Sequence, residues 1–326
     1  MLKSQENLKI LFSEVYRKAK KIVKEILDES EYVEDLYIRD GESTLRKDSM
    51  NNMIAFIGER GSGKTTTMFS FLNYLNNYKQ NLLFEKEDPF QKIDFGEIEF
   101  YCLDYIDGGL LEKRDNILQI LIGNMYRKFL RASEKRFHND WREYDIRELQ
   151  EIFIRVENSI QKISNGENTG YSSIENLKNI TDSLNLKREL IELIQKYLQL
   201  MGSEKERYKD YIRKRVLVIA IDDLDLNYEH GFEILENIHR YLMIPNVIVV
   251  IAAEYKQLMN LCMNHFSTIY RYLNSCNLNS IEKQDIVKMS DAYLDKLIPI
   301  QKRIYLNSFA ALEEVEIEGD INGFEK

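Results

Sequence analysis

Three short stretches of the chain are apolar without interruption, at residues 53 to 57 (MIAFI), 216 to 221 (VLVIAI) and 247 to 252 (VIVVIA). Runs of this length, rich in β-branched side chains, predict parallel strands covered on both faces. A less regular run at 97 to 104 (EIEFYCLD) predicts a further strand, and residues 299 to 306 a last short one. Between the strands the pattern changes to apolar positions three and four residues apart. That spacing predicts helices over about 5 to 28, from Thr66 to Tyr74, and over about 114 to 131, 145 to 163, 172 to 201, 228 to 242 and 285 to 297. Pro245 marks the turn into the strand at 247, and Asp40, Gly41, Glu42 and Ser43 sit in a polar connector over 29 to 50.

Strands alternating with helices predict an α/β fold with a doubly wound, mostly parallel sheet. The expected organisation is an N-terminal helix and connector (1–45), a core in two pieces (46–131 and 213–310), a charged helical insertion (132–212) and a tail (311–326) that leads on towards downstream domains.

Composition changes this picture little. The chain has 326 residues, 44% of them apolar, enough for a sizeable core. No apolar run nears the roughly 20 residues that span a bilayer, which sets no membrane and a cytoplasmic location as the expectation. Cys102, Cys262 and Cys276 lack CxxC spacing and predict buried thiols, without disulfide or structural metal. A formal net charge of −9 does not support a nucleic-acid coat, so nucleic acid enters only as a trigger. The basic run Arg17, Lys18, Lys20, Lys21 and Lys24 lies among apolar residues at helical spacing and reads as the solvated face of an amphipathic helix.

The chemistry concentrates between the first strand and its helix. Gly58-Glu59-Arg60-Gly61-Ser62-Gly63-Lys64-Thr65 matches GxxxxGK[ST] in full, in the strand, loop, helix context that the motif requires. Glycines let consecutive N–H groups turn inward to phosphate oxygens, at the positive end of the helix that follows. Gly58, Gly61, Ser62, Gly63, Lys64, Thr65 and Thr66 are the expected phosphate-binding residues, with Lys64 reaching the β- and γ-phosphates and the Thr65 hydroxyl ligating Mg²⁺. The strand at 216 ends in Asp222-Asp223-Leu224-Asp225. Asp222 is the expected partner of Mg²⁺, and Asp223 the base that orients and deprotonates the attacking water. Asp225 has two readings, functional or helix-capping, as does Glu254, a γ-phosphate sensor or a neighbour of a helix N-cap. Asp104 and Asp107 come near the nucleotide if their strand lies beside that of Asp222. Arg240, Arg271, Lys302 and Arg303 are the cations open to a role in stabilising transition-state charge, each with a surface position as its alternative. No NKxD-like guanine reader is present, which favours ATP over GTP.

With GERGSGKTT, IDDLD, VIVVIAAEY and the YLDKL segment at 293 to 297, the chain over about 46 to 306 resembles the KAP-type P-loop NTPases and, more loosely, the STAND signalling ATPases, within the ASCE/AAA+-like group. The IDGGLLEKRDNIL segment adds a similarity to the ATPase components of RADAR-type antiviral defence systems. The resemblance implies an ATP-hydrolysing, homo-oligomeric switch that acts on a protein effector such as an adenosine deaminase. A polar helical insertion replaces the membrane-spanning segments that KAP-type cores carry. An AAA+-like DNA-remodelling or loading ATPase is the alternative; a basic pore or winged helix would mark it, and neither is evident in the sequence.

Overall fold

The computed structural model describes residues 14–31, 50–78, 95, 98–136, 143–166, 173–201, 215–275 and 283–306. In chain order the elements are helix α1 (14–31), β1 (Met53–Ile57), α2 (Lys64–Asn76), β2 (Glu99–Cys102), β3 (Ile106–Asp107), α3 (Ile117–Arg136), α4 (Glu143–Gly166), α5 (Ser173–Met201), β4 (Arg215–Asp222), α6 (Gly231–Asn237), β5 (Val247–Ala253), α7 (Tyr255–Ser275), α8 (Lys283–Leu297) and β6 (Arg303–Tyr305). The sheet runs β2-β4-β5-β1-β6, with β3 also paired to β4, and every pairing is parallel.

From β1 the chain crosses to the far edge at β2 and then returns through β4 and β5 to β6. Right-handed crossovers put helices on opposite faces when the direction reverses. The two hydrophobic clusters follow this division. Ile54 and Phe56 of β1, Val218 and Ala220 of β4 and Ile248 and Val250 of β5 pack under α1 and α2. Their neighbours in sequence, Met53, Ala55, Ile219, Ile221, Val249 and Ile251, face α3 to α8. The unbroken apolar runs are therefore strands buried on both sides, and the fold is α/β with a mostly parallel central sheet, compatible with double winding.

Several boundaries differ from expectation for physical reasons. The expected insertion boundary at 131/132 falls inside α3, which continues to Arg136, and Leu190, Leu193 and Tyr197 of α5 share one core with β4. The helix expected over 228 to 242 begins at Gly231 and widens into π-type turns over Ile238–Leu242. The last strand is cut to Arg303–Tyr305 because Ile300–Lys302 form a 3₁₀ turn. Strand β3 was not expected; two residues carry no periodicity, and only pairing to Ile221 and Asp222 defines them. The connector beyond residue 31, the tail and Cys276 lie outside the described residues. Cys102 is half-buried and Cys262 buried, and burial pushes both thiols up to about 12. Among the described residues no helix is long and apolar enough to cross a membrane.

The basic run of α1 behaves as a helix surface. Arg17, Lys21 and Lys24 each pair with a carboxylate of the same helix, Glu14, Glu25 and Asp28. Two lysines do more. Lys18 donates to the Arg303 carbonyl at 2.6 Å, and Lys20 lies 4.3 Å from the Tyr74 ring centre, so that α1 is fastened to both β6 and α2.

Candidate functional site

In open α/β sheets ligands bind beyond the carboxyl ends of the strands, where neighbouring connections depart to opposite faces. Here that place is the end of β1, and the glycine-rich loop occupies it. Gly58 N–H donates to the Ala253 carbonyl of β5 at 3.3 Å, while Leu306 N–H donates to the Ile57 carbonyl at 2.7 Å. The loop thus hangs between three strand ends. Gly61 and Gly63 have φ of 82° and 85°, a region that glycine enters without strain. A Cβ on Gly58 would lie 2.4 Å from Ser62 Oγ, so a larger residue would push the turn open.

Helix α2 starts directly from Gly63, with no side-chain cap on its first N–H groups. Uncapped N–H groups at a helix start form an anion site. Ser62 Oγ is buried, with no hydrogen-bond partner in the structure. Lys64 Nζ arches back to the Glu59 carbonyl at 3.0 Å, a bond that a phosphate oxygen can replace. Thr65 and Thr66, the next two residues, are exposed.

Asp222 ends β4, two strands away from β1, with β5 between them. It is buried, yet it lies close enough to the start of α2 for the Thr65 side chain to act on its carboxyl. Its Oδ1 also accepts the Asp223 N–H at 3.0 Å. Burial, the largest influence, pushes the Asp222 carboxyl up; the nearby Thr65 side chain opposes this, and the charges of Asp223 and Asp107 reinforce it. A carboxylate held this way gains from a cation. Mg²⁺ keeps most of its waters and takes few protein oxygens, so a threonine hydroxyl near a buried aspartate would suit it. Among the described residues no group of three or more His, Cys, Asp or Glu side chains makes a dedicated metal cage.

Asp223 follows with φ 51°, a left-handed bend rare outside glycine, and its side chain caps nothing. It is half-exposed, in the position a base would need for access to water. Asp225 proves to be an anchor: buried, it accepts the Glu254 N–H at 2.8 Å and so ties the turn after β4 to the end of β5. Its other oxygen has no hydrogen-bond partner among the described residues, and burial raises its pKa. Glu254 is half-buried, and its carbonyl accepts from the N–H groups of Gln257 and Leu258, which starts α7. The backbone of Glu254 thus has the helix-starting role, and the residue follows Ala253, whose carbonyl holds the loop.

The two acidic residues after β2 separate. Asp104 turns away, bonded to Arg127 at 2.6 Å and Lys128 at 3.0 Å on α3. Asp107 lies in register with Asp222. Of the cations, Arg303 and Lys302 are not surface residues. Arg303 is buried, donates to the Ile298 carbonyl and to Asp295, and stacks 4.5 Å from the centre of the Tyr255 ring. Lys302 is held by the Asn51 carbonyl and Glu29. Arg240 pairs with Glu236 of its own chain segment, and Arg271 and Arg60 are exposed.

One positioning residue escaped the sequence reading. Asn227, buried after the IDDLD turn, donates to the Gly108 and Leu111 carbonyls, each at 2.9 Å, and accepts from His230 N–H at 3.0 Å. Its only signal was an amide side chain where a turn meets a helix start, a common place for local capping. In comparisons with known proteins, no family model and no curated protein matches this sequence.

Proposed function

We propose that this protein is a P-loop NTPase that binds ATP with Mg²⁺ and hydrolyses it. The observation that carries the reading is the uncapped start of α2 after the glycine-rich loop, with the buried Asp222 at the end of β4 close enough for the Thr65 side chain to act on its carboxyl. Two segments more than 150 residues apart in sequence meet across the end of β5, at the mouth of a glycine loop whose helix start is uncapped.

The division of labour follows from position. Loop N–H groups and Lys64 hold the β- and γ-phosphates, and Lys64 exchanges the Glu59 carbonyl for phosphate oxygen. Thr65 and Asp222 hold Mg²⁺, which when bound offsets phosphate charge and orients the γ-phosphoryl group. Asp223 accepts the proton of the attacking water, and Glu254 senses the γ-phosphate from the end of β5. The resemblance in GERGSGKTT, IDGGLLEKRDNIL and IDDLD supports a role as an oligomeric switch with a protein effector, such as an adenosine deaminase, in antiviral defence.

Two variants test the assignment. Lys64→Ala abolishes ATP binding in a direct binding titration. Asp223→Asn leaves binding intact and lowers turnover by about a hundredfold or more; unchanged turnover refutes the base assignment. A turnover rate per protomer that rises with protein concentration supports the oligomeric switch, and a constant rate across dilution to monomer refutes it.

A further inference from the structure

Resting on the reading of the site as an ATP and Mg²⁺ site, we propose that Asp107 is its second acidic wall, sharing with Asp222 the water shell of the metal. Strand β3 consists of Ile106 and Asp107 alone, in register with Ile221 and Asp222. Adjacent parallel strands lie about 4.8 Å apart, and register partners project to the same face. The core identifies that face. Ile106 and Ile221 both pack in the cluster beneath α3 to α8, so Asp107 and Asp222, one residue on, belong to the other face, where α2 carries Thr65.

The backbone around Asp107 is clamped to the strand end that carries Asp222. A Cβ on Gly108 would lie 2.8 Å from Leu224 Cα and 3.1 Å from the Asp222 carbonyl oxygen, and one on Gly109 would lie 3.3 Å from the Asp223 carbonyl oxygen. Asn227 fastens the same turn through the Gly108 and Leu111 carbonyls. Asp107 itself is half-exposed, and its Oδ1 accepts the Gly109 N–H at 3.1 Å. A carboxylate set rigidly beside Asp222, with access to solvent, accepts hydrogen bonds from waters of a hydrated cation; without the cation it repels the triphosphate.

The two effects have opposite signs, which separates this role from a structural one. Asparagine caps a turn as well as aspartate does, so Asp107→Asn keeps the Gly109 bond and removes only the charge. ATP binding by the 326-residue chain is measured twice, in EDTA and in a Mg²⁺ titration, with Lys64→Ala as the reference. Asp107→Asn is expected to bind metal-free ATP as tightly as the parent or a few-fold tighter, while the half-saturating Mg²⁺ concentration rises about tenfold, as for loss of an outer-shell partner. Unchanged Mg²⁺ dependence overturns the proposal, and so does equal weakening in both conditions, which marks a structural residue. Asp107→Ser, which also caps, gives the same reading if the amide variant folds poorly. Failure of the underlying site is distinct: the parent would then bind ATP no better than Lys64→Ala.

Discussion

Asp225 spends its charge on holding two strand ends together. One oxygen takes the Glu254 N–H, the other finds no hydrogen-bond partner among the described residues, and burial raises the pKa of the group. The sign of the consequence is fixed by linkage. Well below the ordinary carboxylate range the folded and unfolded chains both hold the proton and the group costs nothing. As pH rises through the unfolded and then the raised folded value, folding must bury a charge, and stability is lost. Asp225→Asn keeps an oxygen for Glu254 and removes this loss. As pH rises through and above the carboxylate range the melting temperature of the variant, minus that of the parent, should increase. A difference independent of pH would show that Asp225 is not the titrating group. Sequence gave Asp225 an undecided role because its function depends on Glu254, 29 residues away, which spacing does not show.

The same limit appears at the level of elements. Strands β1, β4 and β5 were legible because burial on both faces leaves an unbroken apolar run, and the glycine-rich turn between β1 and α2 was legible because its glycines mark a break between a strand and a helix. What holds these strands in register was not. Asn52, fully buried just before β1, donates from one amide to the carbonyls of Leu242 at 2.8 Å, Ile244 at 3.1 Å and Val247 at 2.9 Å. Those carbonyls belong to the π-type turns and the tight entry into β5, where the helix pattern breaks and no regular ladder serves them. Asn52→Ala removes this donor from all three carbonyls, of which Leu242 keeps the Ile244 N–H, at a cost of about 2 kcal/mol. The expected result is a melting temperature lower by roughly 5 °C with unaltered affinity for ATP, since β1 stays paired along its whole length with β5. A loss of affinity as large as the loss of stability would mean that Asn52 also sets the loop geometry. Arg303 makes a similar point: its carbonyl, carboxylate and aromatic partners are set by the fold, so the sequence could offer it only as a free cation.

At the scale of the whole molecule the question is whether the helices over 143 to 201 form a module or a wall of the core. Charge pairs join them to one another, Lys196 to Asp145 and Glu148, and Arg155 to Glu189 and Glu192, which alone would suit a separable hairpin. Pairs that keep contact with water contribute little. The apolar side points elsewhere: Leu190, Leu193, Ile194 and Tyr197 of α5 are buried in the same cluster as Leu217 and Ile219 of β4, the strand that carries Asp222. Tyr101 of β2 reinforces this contact by donating to the Met201 carbonyl at 3.3 Å, and Arg215 at the start of β4 donates to Leu198 and Gln199 carbonyls. Truncating Leu193, which is fully buried, should therefore cost about 3 kcal/mol to the entire core rather than to a hairpin. Leu193→Ala is expected to melt in one transition, with the ATP-dependent stabilisation vanishing at the same temperature as the helical signal. An early helical transition that left ATP binding in place would instead identify α4 and α5 as a unit that folds apart from the site, and the strand bearing Asp222 would then have to be held by its neighbours in the sheet, β2, β3 and β5.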